Sequence, residues 1–261
     1  MDPSTYGPKT EIFKIETACN SLVLQRQGDL LELRNQSGAL QSRLDPDRPE
    51  RLVMSNLQYL VSILLFIPTP RRVLLLGTAA GSLLHFIRHH YSADIVAVDI
   101  DGELIDRFQE RKILPEPDHR LSYVEEDALS FISRSEDQFD LIFFDIFSGS
   151  QSPGWILEKE SLLHLHRLLG PRGAMAFNLL IDSDHDFDRF YQNLQSVCAR
   201  QTLSTPVEDL ENTIVFGFNG QLPERGLDWY LQNTLDLSRE HGIDYLQILS
   251  SIYTSNPQGT I

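Results

Sequence analysis

The sequence predicts an α/β domain with a doubly wound, mostly parallel sheet that closes in an antiparallel hairpin. Three observations predict it. First, the apolar run Val73–Leu76 leads straight into a small-residue turn, Gly77-Thr78-Ala79-Ala80-Gly81, and the turn opens an apolar-periodic helix. Second, a further strand, Asp94–Asp99, ends in an acid eighteen residues after Gly81. Third, strand-like and helix-like segments alternate from Arg71 onward, which implies parallel strands with helices on both faces.

Taken in order, residues 11–44 read as β-rich. Ser21–Arg26 and Asp29–Arg34 alternate apolar and polar residues around Gln27-Gly28, a hairpin pattern, and Ala39–Leu44 adds a strand. Asp47 and Pro49 read as the N-cap and first turn of an apolar helix over about 50–66, which Pro68-Thr69-Pro70 stops. Strands are then expected at 72–77, 94–99, 120–124, 139–145 and 172–180. Helices are expected at 80–91, 101–112, 127–134, 157–169 and 184–200. Only Glu208–Glu211 separates the strand candidates 201–207 and 212–219, a link too short for a crossover and suited to a hairpin. Two helices, about 226–240 and 243–254, follow. The organisation expected is an N-terminal β-hairpin region plus apolar helix (1–70), a nucleoside-binding domain (71–220) and a helical extension (221–261).

The chain has 261 residues, 41% of them hydrophobic, enough for one large domain with a small appendage. Its formal charge of −15, from 22 basic and 37 acidic residues, disfavours general nucleic-acid binding and tolerates a cationic substrate. Solubility alone also accounts for such a charge. No run of 18 apolar residues predicts a membrane span, and the N-terminus reads as no secretory signal. Two distant cysteines, Cys19 and Cys198, fit a reducing cytoplasm and offer no metal spacing.

The candidate nucleoside site is assembled from three strand ends. Gly77, Ala79 and Gly81 form a G-x-G-x-G-like loop with alanine in the middle; small residues let a ligand touch the backbone and the next helix's N–H groups. Packing of strand against helix also demands small residues there. Asp99 is placed to accept both ribose hydroxyls, or to cap the next helix beside Asp101. Asp127 and Ala128, just after the third strand, suit an adenine's exocyclic amine and ring nitrogen; Asp127 equally suits an N-cap. A nicotinamide-dinucleotide site is the rival, but its loop would want a glycine near Leu83. Asp145 ends the central strand, in Phe143-Phe144-Asp145-Ile146-Phe147-Ser148.

With the loop, Asp99, Asp127-Ala128 and Asp145, residues 20–220 resemble the spermidine synthase (polyamine aminopropyltransferase) family, in its divergent bacterial branch. The terminal hairpin fits the Rossmann-like, class I methyltransferase-type sheet that the family uses. The resemblance implies a donor, decarboxylated S-adenosylmethionine or S-adenosylmethionine itself, and aminopropyl transfer to a small, cationic amine. It makes Asp145 the catalytic acid–base residue, since an ammonium must lose a proton before it can attack. Ala80 stands where the family's loop carries an Asp, and Ile146, Phe147 and Ser148 replace its D-S-x-D continuation. Tyr59 is a loose match for the Tyr expected on the preceding helix. S-adenosylmethionine-dependent methyl transfer, or a non-catalytic nucleoside-binding protein, are the alternatives.

Ser148 and Trp155, in a loop expected to be mobile over the site, and Asp182 and Asp184, after the fifth strand, are the acceptor candidates. Trp155 suits a core anchor equally, and Asp182–Asp188 suits a solvated first helical turn. That acidic segment fails as a calcium loop, with Phe187 at its sixth position and Asn193 at its twelfth. No metal is expected; a homodimer is.

Overall fold

The computed structural model describes residues 9–149, 151–221 and 227–256. Four antiparallel strands come first: β1 (Lys9–Glu16), β2 (Ser21–Gln27), β3 (Leu30–Asn35) and β4 (Leu40–Leu44), paired in that order. Their apolar residues, Ile15, Leu22, Leu24, Leu31, Leu33 and Leu44, join the same buried cluster as the main sheet. The other face is fixed by Glu32, opposite Gln25 on β2 and Arg43 on β4. Glu32 is 1% exposed and accepts bonds from Gln25 (2.9 Å), from Arg34 (2.8 and 3.0 Å) and from Arg43 (2.9 Å). Burial pushes its pKa up, but these bonds outweigh burial and leave it lowered.

The helix expected over 50–66 starts later, at α1 (Ser55–Leu60), and tightens into a 3-10 turn at Val61–Leu65. Asp47 is not its cap. The Asp45 carboxylate accepts the N–H groups of Asp47 (3.1 Å) and Arg48 (3.2 Å) and pairs with the Arg48 and Arg51 guanidinium groups. The chain therefore spends residues 45–51 in turns, and Met54 takes the N-cap position without a side-chain bond.

The main sheet has seven strands: β5 (Arg72–Leu76), β6 (Asp94–Asp99), β7 (Leu121–Glu125), β8 (Phe139–Phe144), β9 (Leu169–Leu179), β10 (Thr202–Pro206) and β11 (Thr213–Phe218), in the order β10-β11-β9-β8-β5-β6-β7. β5 to β9 are parallel, and β10 and β11 form the antiparallel hairpin against β9. β9 begins before the expected residue 172. Pro171 and Gly173 read as loop punctuation, yet Gly173 lies so close to the Phe139 carbonyl that a Cβ would stand 2.9 Å from it.

The strand interiors read as unbroken apolar runs because both faces are covered. Val73, Leu75, Leu141, Phe143, Ala174 and Ala176 face one cluster, shared with the N-terminal sheet, α2 (Ser82–His90), α3 (Gly102–Glu110) and the C-terminal helices α7 (Leu227–His241) and α8 (Tyr245–Ser255). Leu74, Leu76, Ile142, Phe144, Met175 and Phe177 face the other, with α4 (Ala128–Arg134), α5 (Lys159–Arg167) and α6 (Asp184–Val197). The turn between β1 and β2 reaches the main sheet's edge. Thr17 Oγ1 (2.7 Å) and Asn20 Nδ2 (2.6 Å) donate to one oxygen of Asp101, while its other oxygen caps α3 through the Leu104 N–H at 3.0 Å. Among the described residues, no helix is long and apolar enough to cross a membrane.

Glu32→Ala is expected to lower stability by about 2–3 kcal/mol, because it removes charge-assisted bonds from three strands at once. Urea unfolding measures this. Because Glu32's folded pKa is depressed, its contribution is present above the unfolded carboxylate pKa and is lost as pH falls through the folded value. The difference between wild type and variant should shrink in acid.

Candidate active site

Consecutive strands run outward from β5 to β7, then the chain returns to β8 on the other side of β5. Loops leaving β5 and β8 therefore diverge, which opens a crevice at the carboxyl edge. Gly77 and Asp145 stand at its two lips. Gly77 has φ 92°, and a Cβ on it would lie 2.4 Å from the Asp145 carbonyl oxygen, so only glycine fits. Ala79 also lies in the left-handed region, at φ 43°, a conformation that costs a residue with a Cβ about 1 kcal/mol. Gly81, at φ 79°, is the N-cap of α2 and gives its helix no side-chain cap. Leu114 fills the space where a Cβ of Gly81 would go.

A cavity of about 240 Å³ occupies the crevice. Its walls come from Gly77, Thr78 and Ala79, the first turn of α2, Asp145 and Phe147 after β8, the β3–β4 region at Ala39–Ser42, α1, and Leu210 and Asn212 between β10 and β11. The N-terminal sheet is thus one wall of the site. Asn56, on α1, lines the cavity and has a buried amide oxygen without a hydrogen-bond partner among the described residues.

Asp145 accepts a 2.8 Å bond from Asn178 Nδ2, and Asn178 in turn accepts one of 2.9 Å from Asn212 Nδ2. Burial raises the Asp145 pKa above the ordinary carboxylate value, and the Asn178 bond works against that rise. Asp99 closes the other side of the loop. Its Oδ2 accepts the Thr78 N–H and the Thr78 hydroxyl, both at 2.8 Å, and its Oδ1 accepts the Asp101 N–H at 3.1 Å. Oδ2 is thereby filled, and Oδ1 keeps one acceptor site for a further donor. Asp127 caps α4 through the Ser130 N–H at 2.9 Å, and Ala128 begins that helix, both at the end of β7 beside β6.

The acceptor candidates are more dispersed. Ser148 pairs with Gln151 at the cavity's rim, next to Gly149, which lines it. Gln151 donates to Asp182, and Ser152 exchanges bonds of 2.9 and 3.0 Å with Leu180, so the segment after β8 is tied to the end of β9. Trp155 packs edge-on against Phe144, with ring centres 5.5 Å apart, in the second core. Asp182 and Asp184 are exposed, Asp184 in the first turn of α6 after the Ser183 cap. None of these three lines the cavity. Ala80 is buried in the core, at 2% exposure.

Sequence reasoning passed over Thr78, Asn178, Asn212 and Asn56. Asn178 carried a usable signal: a lone amide inside an apolar strand must have a buried partner. Among the described residues, His90, Glu240 and His241 have potential metal-ligand atoms within 4.8 Å of one another, at the C-terminal ends of α2 and α7 and outside the cavity lining. Burial, with a smaller contribution from His90, holds the His241 pKa down to about 3.

The Spermine/spermidine synthase domain matches residues 59–178. A polyamine aminopropyltransferase of Neisseria meningitidis serogroup A is 26% identical over 237 residues, covering 90% of this chain and 89% of its own. One of Chromobacterium violaceum is 24% identical and covers 90% of each chain. Among solved structures, a probable spermidine synthase from Corynebacterium glutamicum has a TM-score of 0.75 at 18% identity, over 94% of this chain and 95% of its own. The domain match and the aminopropyltransferase relatives make this chain similar to the spermidine synthase-like family, and its fold is of the class I methyltransferase type.

Proposed function

We propose that this protein is a transferase that moves an aminopropyl group from decarboxylated S-adenosylmethionine to a small amine. The family match supports the reaction class. The observation that carries the assignment to a site is Asp145, a carboxylate of raised pKa lining a cavity that also contains the glycine loop. In this reading Gly77, Ala79 and Gly81 admit the donor's tail against the backbone, Asp99 accepts from a ribose hydroxyl through Oδ1, and Asp127 with the Ala128 N–H holds the adenine. The acceptor enters past Ser148 and the acidic residues Asp182 and Asp184, while Trp155 fixes that segment to the core.

Asp145 takes the proton that the acceptor's ammonium must lose. The freed amine attacks the carbon beside the sulfonium, and the carbon–sulfur pair leaves on sulfur as a neutral thioether. A carboxylate with a raised pKa accepts that proton more readily than an ordinary one. The two free cysteines support a reducing, cytoplasmic setting. Exposed Leu231 and Leu235, one turn apart on α7, support a homodimer.

One observation favours methyl transfer from carboxylated S-adenosylmethionine as a second reading. The first turn of α2 has no side-chain cap, and Ala80 leaves the loop without an acid. Uncapped N–H groups favour a carboxylate over an ammonium.

Calorimetry with the two donors separates these readings: preference for the decarboxylated form supports aminopropyl transfer, and preference for the carboxylated form overturns it. Asp145→Asn should lower kcat at least 100-fold with donor affinity nearly unchanged; unaltered turnover excludes Asp145 as the base. Asp99→Ala should weaken donor binding by about 1–3 kcal/mol, read by the same calorimetry. Turnover should rise with pH through the raised Asp145 pKa, because the base must be ionised. Asn178→Ala removes the bond that favours the ionised form, so this acid limb should move to higher pH.

A further inference from the structure

Asp145 is the one charged residue among the described residues that line the cavity. Leu40, Met54, Leu57, Phe147 and Leu210 make the walls away from the loop largely apolar, and the polar remainder is neutral. The buried amide oxygen of Asn56 can take a hydrogen bond but brings no countercharge. Asp182 and Asp184 after β9, and Asp209 and Glu211 on either side of Leu210, are exposed and lie outside the lining.

A diamine would seat one ammonium at Asp145 and press the other against this neutral wall. A charge taken out of water needs an opposite charge or several bonds to offset its lost hydration. An alkyl chain of the same length, by contrast, gains from leaving water. We infer that the acceptor is a primary monoamine with an apolar body, its single amine at Asp145 and its chain along the walls formed by β4, α1 and Leu210.

This rests on the amine-acceptor reading proposed above, whichever group the sulfonium donates. The amine nitrogen loses one proton to the Asp145 carboxylate and forms a bond to the donated carbon. The carbon–sulfur bond breaks with its pair on sulfur, and the product leaves as a substituted ammonium.

The test compares n-hexylamine with 1,6-diaminohexane, which differ only in the far ammonium. With methylthioadenosine present, calorimetry should show the monoamine binding at least tenfold tighter. Equal or tighter binding of the diamine, or no binding of either, overturns the inference. Leu210→Asp places a carboxylate at an exposed position of the rim and should raise the relative affinity for the diamine at least tenfold; an unmoved ratio overturns the role of the neutral wall. Product analysis by mass with each donor reads the reaction separately. Product from the diamine alone sinks the monoamine while keeping the transferase. Monoamine binding without product from either donor sinks the transfer reaction and leaves the binding preference supported.

Discussion

The close approach of Gly77 to the Asp145 carbonyl is the constraint on which the carboxyl edge depends. Adjacent parallel strands β5 and β8 must part at their ends, and here they part with almost no space between them. The absence of a side chain at Gly77 lets the loop turn within reach of Asp145 and still start α2 a few residues later. The Thr78 N–H and hydroxyl, held by Asp99, then set the loop's other side. Three strand ends are thereby locked to one short segment, and the cavity's shape follows from that arrangement.

Much of this was legible in the residues. The glycine loop, the acid at Asp99 and the alternation after Arg71 located the parallel strands, because a strand covered on both faces leaves a continuous apolar run. The short link between β10 and β11 revealed the hairpin. What escaped was decided by contacts between distant segments. Asp45 outcompeted Asp47 for the local N–H groups and delayed α1, and nothing in the spacing ranks two aspartates in one turn. Trp155 was readable as a lid or as an anchor, and only its packing on Phe144 distinguishes them. The cavity's wall from the N-terminal sheet was invisible for the same reason: periodicity shows which strand faces are apolar but not what they cover.

The electrostatics of the edge are uneven. The chain is strongly acidic, yet among the described residues that line the cavity only Asp145 is charged, and its carboxylate is held by an amide relay from Asn212 through Asn178. Acidic residues outside the cavity attract cations over the surface at long range, where salt screens them. Inside, low polarity strengthens each remaining interaction. Attraction and selection are thus assigned to different places: the surface gathers cations broadly, and the cavity admits them by shape and by how much charge they carry.

Asp101 has a consequence for how the molecule assembles. Its partners Thr17 and Asn20 precede it by 84 and 81 positions. The first hairpin can form locally, but its turn has nothing to grip until β6 and the start of α3 exist. Closing so long a loop costs entropy before the contact returns anything, and proteins rich in such contacts fold slowly. During synthesis the N-terminal sheet would leave the ribosome with its apolar face uncovered and wait for the main sheet. This wall of the cavity is therefore secured only once β6 and the start of α3 exist, although its own strands are made before them.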